Sequence, residues 1–170
     1  MHIVLVEPEI PGNTGNISRL CAAEHLTLHL VEPLGFSIDD KHLKRAGLDY
    51  WKFLDIHIHK NFESVKQMLK GKRFFYNTTK AKHVYTDISY KEDDVLVFGK
   101  ETKGLPEELL LENQDSCIRI PMVEEARSLN LSNAVAIVAL EALRQTGFPE
   151  LKKGNQYLEK MKGTISNEYV

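Results

Sequence analysis

Residues 118–134, "IRIPMVEEARSLNLSNA", join a short β-type run to an apolar helix pattern, "VAIVALEAL" at 135–143. A helix start needs one capping residue, and Ser132 is the expected cap. Yet four of the eight residues in "RSLNLSNA" (127–134) are Ser or Asn. One cap does not account for them. The excess follows a strand, where a sheet flanked by helices places its ligands. The stretch therefore reads as strand, ligand loop and helix.

The same order repeats along the chain. "HIVLVE" (2–7), "LTLHLVE" (26–32), "DIHIH" (55–59), "RFFYNT" (73–78), "DVLVFG" (94–99) and "SCIRIP" (116–121) are brief and rich in Val, Ile and Phe, as strands are. Helix patterns lie between them at 14–25, 39–47, 61–70, 106–112 and 132–146. Asp39 and Asn61 suit N-caps, Pro106 a first turn and Gly147 a helix end. Such alternation predicts a mostly parallel α/β sheet with helices on both faces. Residues 1–150 read as one domain, and 151–170 as a polar tail.

Composition fits a soluble protein: 170 residues, 42% hydrophobic and 27% charged. "MHIVLVEP" carries no basic leader, and no run is long enough to span a membrane, so a cytoplasmic protein is expected. Cys21 and Cys117 sit in apolar patterns and read as buried thiols. The net charge of −2 argues against indiscriminate nucleic-acid binding. Its distribution is uneven, however: residues 41–83 hold eleven Lys or Arg against three acids. That window is either a set of solvated lysine faces or one face for a polyanion.

Several familiar motifs fail. "PGNTGN" follows the first strand but lacks the G-x-G-x-x-G spacing of a dinucleotide site. Gly99 and Gly104 have P-loop spacing, but Leu105-Pro106 stands where Lys-Ser/Thr is required. His57 and His59 share a strand face without a nearby third metal ligand, and read as exposed strand histidines. No serine has a G-x-S-x-G context. No metal is expected.

Three strand-end loops remain: "NTGNISR" (13–19), "FGKETKGLP" (98–106) and "IRIPMVEEARSLNLSNA" (118–134). In order and spacing they resemble the three motifs of the SPOUT RNA methyltransferases, 2′-O-methylating branch. The short chain, "EPEIPGNTGN" and "KRAGLDYW" (44–51) are similar to the minimal members that act on the wobble nucleotide of tRNA. The resemblance covers residues 2–149. It implies a C-terminal deep trefoil knot, a homodimer and tRNA as substrate. Periodicity alone predicts an ordinary doubly wound sheet, since knots are rare.

The resemblance also implies site residues. S-adenosylmethionine is expected against Asn77, Thr78, Gly99, Glu101, Gly104, Ile120, Met122, Ser128 and Leu129. Arg19 is the expected catalytic cation, more suited to stabilising an alkoxide or a phosphate than to acting as a base. Asn13 and Asn16 are expected to orient Arg19 or the ribose. Glu101 is expected to organise the loops or sit near the sulfonium, and Asn130 to contact the acceptor ribose. Lys41, Lys44 and Arg45 are the candidate RNA contacts. Methylation of another tRNA position or of ribosomal RNA, and RNA binding without catalysis, stay open at this point.

Overall fold

The fold is that of a computed structural model, which describes residues 1–37 and 53–154. Lys41, Lys44, Arg45, the helix expected at 39–47 and residues 155–170 of the tail lie outside the described residues.

Seven parallel strands form one sheet in the order β3-β2-β1-β6-β4-β7-β5. They are β1 (His2–Val6), β2 (Thr27–Val31), β3 (Ile56–His59), β4 (Phe74–Asn77), β5 (His83–Val84), β6 (Val95–Phe98) and β7 (Cys117–Arg119). The helices are α1 (Pro11–Ala23), α2 (Phe62–Met68), α3 (Glu107–Glu112) and α4 (Leu131–Gln145). All six expected strands are present. β5 was not expected, because two residues carry no readable period.

The strand pattern of period two decides which helix covers which face. Ile3, Leu5, Leu28, Leu30, Leu96 and Phe98 point to the side packed by Ile17 and Cys21 of α1 and Val135, Val138 and Ala142 of α4. Val4, Val6, Val31, Val95 and Val97 point to the side covered by Val65 of α2 and Leu110 of α3. Central β6, "VLVF", is buried throughout and carries no polar residue, as a strand covered on both sides should be. Each fully buried Leu, Ile or Phe contributes about 1.5–3 kcal/mol relative to exposure.

Helix ends follow local chemistry, with three corrections. Asn61 caps α2 by accepting from Ser64 N at 3.0 Å, and Gly147 takes the left-handed conformation (φ +79°) after α4, both as expected. The cap of α4 is Asn130, not Ser132: its Oδ1 accepts from Ser132 N (2.9 Å) and Asn133 N (3.4 Å). α1 starts three residues before the expected Thr14, because Pro11 fits a first helical turn whose N–H groups need no internal partner. Pro106 is the residue before α3, not within its first turn.

A further correction concerns the histidines. His59 is 8% exposed and His29 0%, and His57 stacks on His29 with ring centroids 5.1 Å apart. A ladder crosses three strands: His2 Nδ1 lies 3.1 Å from His29 Nε2, and His29 Nδ1 lies 3.0 Å from His59 Nε2. β-sheet register brings these residues together, which spacing along one strand does not reveal. Neutral imidazoles satisfy both contacts, since each donates one N–H and accepts one. Burial holds His29 down at about 3 and His2 at about 4, and lowers His59 as well. The unfolded chain takes up protons near pH 6.5, whereas the ladder refuses them until much lower pH. Stability is therefore complete above about 6.5 and drains away as pH falls towards about 4, at no more than about 1.4 kcal/mol per pH unit for each proton the ladder refuses. Thermal melts from pH 7.5 to 4.5 should show this slope. In His29→Gln it should be shallower, whatever the variant's starting stability, and equal slopes would contradict the account.

Candidate active site

The loops leaving β1, β4, β6 and β7 converge on one cavity of about 530 Å³. Its walls include Ile10 and Asn13, Asn77 to Lys80, Phe98 to Leu105, Ile120, Met122 and Arg127 to Leu131. All nine residues expected to meet the cofactor line it, as do Asn13, Glu101 and Asn130. Asn16 and Arg19 do not. They are exposed on α1, with Ala23 on the same face at helical spacing.

Glu101 ties the loops together. Its carboxylate accepts from Glu9 N (2.8 Å), Ile10 N (3.2 Å) and Asn13 Nδ2 (2.9 Å). α1 has no acidic residue in its own first turn and no side-chain cap. Glu101 supplies the missing negative charge at that helix N-terminus from another loop. Asn13 passes the connection on, accepting at Oδ1 from Asn130 Nδ2 at 2.9 Å. Asn130 then caps α4. The chain Glu101–Asn13–Asn130 thus joins three segments that lie far apart in sequence. With Oδ1 of Asn130 engaged by Ser132 and Asn133, one amide hydrogen is left for a ligand.

Two residues of this assembly were not expected. Glu9 accepts from Thr102 N (3.0 Å) and Thr102 Oγ1 (2.8 Å), reciprocating the bond from Glu9 N to Glu101. Those bonds hold the Glu9 carboxyl below the usual carboxylate range. Neither Glu9 nor Thr102 has a periodic or capping signature. Only the run of polar residues in "EPEIPGN" and "GKETKG" hints at them.

Gly99 serves the loop's own backbone. A Cβ there would lie 2.1 Å from Gly104 C and 2.2 Å from Leu105 N. Gly104 sits at φ +69°, and its N–H donates to Lys100 O at 2.9 Å to close the turn. Because the obstacle is backbone, Gly99→Ala should cost about 1–3 kcal/mol by overpacking. It should also weaken cofactor binding, by moving the cavity wall. Melting and calorimetric titration check this; an unchanged midpoint with unchanged affinity would contradict it.

The donors suit S-adenosylmethionine. Ile120, Met122, Leu105 and Ala134 offer apolar walls, and the polar residues Asn77, Thr78, Ser128 and Asn130 line the same cavity. Asn77 Nδ2 is buried at the cavity edge without a hydrogen-bond partner among the described residues. A buried amide donor left open is costly unless a ligand accepts from it. Among the described residues no group of three His, Cys, Asp or Glu could hold a metal ion.

Residues 1–140 match the family model described as the SpoU rRNA Methylase family. The chain belongs to that family. A relative from Escherichia coli (strain K12), named tRNA (cytidine(34)-2′-O)-methyltransferase, is 49% identical over 150 residues, covering 88% of this chain and 96% of that one. A solved structure described as giving insights into the 2-OH methylation of C/U34 on tRNA is 43% identical. It superposes with a TM-score of 0.82 over 85% of this chain and 95% of that one. Another solved structure, described as an AdoMet-bound rRNA methyltransferase from Sinorhizobium meliloti, is 28% identical with a TM-score of 0.75 over 84% of this chain and 55% of that one.

Proposed function

We infer that this SpoU-family enzyme methylates the ribose 2′-hydroxyl of the wobble nucleotide of tRNA, cytidine or uridine 34, using S-adenosylmethionine. The observation that carries the reading is the meeting of all three motif loops around one cavity, in a chain near 50% identical over most of its length to a named enzyme of that activity.

When bound, the cofactor supplies a methyl group on a sulfonium. The protein's task is to hold that group in line with a hydroxyl and to manage the hydroxyl's proton. Asn77, Thr78, Ile120, Met122, Ser128 and Leu129 form the cofactor's walls, and Gly99 and Gly104 shape the loop that closes over it. Glu101, Asn13 and Asn130 brace the three loops, so the cavity is preorganised. Arg19 stabilises the charge that develops on the ribose oxygen.

Arg19 and Asn16 lie off their own cavity, and this supports a homodimer. α4 carries a second apolar strip outside its buried face, with Ala136 and Ile137 half-buried and Leu140 41% exposed. A second copy packed on α1 and α4 covers that strip and brings Arg19 to a cavity edge. The trefoil knot is part of the same reading. Residues 78–82 connect β4 to β5 across β7, so the chain leaving β7 starts beneath or beside that loop, which supports the reading. We place one domain at 1–150, a polar tail at 151–170, and the enzyme in the cytoplasm with its tRNA. Lys41, Lys44 and Arg45 remain proposed RNA contacts.

The experiment is mass spectrometry of tRNA from cells with and without the gene. Loss of one ribose methyl, at position 34, supports the reading. Loss at another position, or no loss, overturns it.

A further inference from the structure

A second cavity, of about 490 Å³, adjoins the cofactor cavity and shares Lys80, Lys100, Lys103, Gly104 and Leu105 with it. Three ammonium groups from two loops wall it, against the carboxylates of Glu7 and Glu107. Lys80 pairs with Glu107, and Lys100 with Glu7 at 2.5 Å. Lys103 is exposed and has no carboxylate at ion-pair distance among the described residues. The recess thus holds one cation in no close ion pair, its charge felt at longer range by Glu9, with two more at hand beside the cofactor cavity.

The substrate's chemistry says what such a recess is for. The carbon bearing a ribose 2′-hydroxyl is bonded to the carbon bearing the 3′-phosphodiester. A 2′-hydroxyl brought to the cofactor cavity therefore carries a fixed negative charge to its immediate surroundings. Left unpaired beside a partly enclosed site, that charge raises the cost of binding. Resting on the function proposed above, we propose that this recess seats the phosphodiester on the 3′ side of the target ribose. Lys103 meets it directly, and Lys80 and Lys100 share their charge between it and their glutamates. These are positioning groups for the RNA. They are separate from Arg19, which comes from the face of α1 that lies off this cavity.

The test is steady-state methyl transfer to tRNA, at several salt concentrations, by the full-length wild type, Lys103→Ala, the double variant Lys80→Ala/Lys103→Ala and Lys103→Arg. The double variant should raise KM for tRNA about tenfold, as expected for lost charged contacts. Its log–log dependence of affinity on salt should flatten by about one or two units. Because Lys80 and Lys103 also border the cofactor cavity, the dissociation constant for S-adenosylmethionine is measured alongside and should change by a smaller factor than KM for tRNA, and Lys103→Arg should restore most of the RNA affinity. Unchanged KM and slope in the double variant overturn the proposal. A weakened cofactor affinity with tRNA KM unchanged also overturns it, assigning the recess to the cofactor's own carboxylate. A wild type that methylates no tRNA overturns the function reading itself, a result distinct from either.

Discussion

Glu101→Ala is expected to lose both cofactor binding and methyl transfer. Three donors converge on the Glu101 carboxylate, two of them backbone N–H groups at the start of α1 and the third the Asn13 side chain. A hydrogen bond to a charged group contributes about 1.5–3 kcal/mol, so removing this acceptor should weaken cofactor binding by tenfold or more and turnover by about a hundredfold or more. A second role for Glu101, a charge set beside the sulfonium, makes a different prediction. Bracing of loops affects every occupant of the cavity alike. Glu101→Gln should then weaken S-adenosylmethionine and its product S-adenosylhomocysteine, whose sulfur is neutral, by the same factor. Calorimetry with both ligands decides between them: a loss confined to the sulfonium form would show that the charge acts on the ligand.

Arg19→Ala should behave in the opposite way, abolishing turnover and sparing the cofactor. Arg19 is exposed on α1 and does not line the cavity of its own chain. Its removal disturbs no cofactor wall. Losing a preorganised cation at a developing oxyanion costs about 10²–10³ in rate. Single-turnover methyl transfer with saturating tRNA should show at least that loss, while the dissociation constant for S-adenosylmethionine stays at the wild-type value. Near-normal turnover would remove Arg19 from the mechanism.

Much of the fold was readable because β-strand alternation and helix periodicity are strong over these short elements. The valines of β1 and β6 face α2 and α3, and their alternating Leu, Ile and Phe face α1 and α4, as period two requires. The three motif loops that line the cavity were also readable, since ligands in such sheets gather beyond the carboxyl ends of strands. Relations set by register or by distant loops were not. The histidine ladder depends on which strands pair, and no local spacing reports that. The Glu9–Thr102 latch joins residues 93 positions apart. Asn130 displaced Ser132 as the α4 cap because its side chain serves two partners at once, the helix N–H groups and Asn13. Gly99 was expected to lie against the cofactor, but nothing in the sequence showed that the neighbouring backbone of Gly104 is what excludes a side chain there.

The central claim is the identity of the atom that receives the methyl group. The most direct measurement is transfer of labelled methyl from S-adenosylmethionine to two synthetic tRNAs that differ in one atom, the 2′-oxygen of nucleotide 34. The account predicts stoichiometric labelling of the ribose form and none of the 2′-deoxy form, with both bound equally well. Equal labelling of the two would place the methyl elsewhere on the RNA and contradict it.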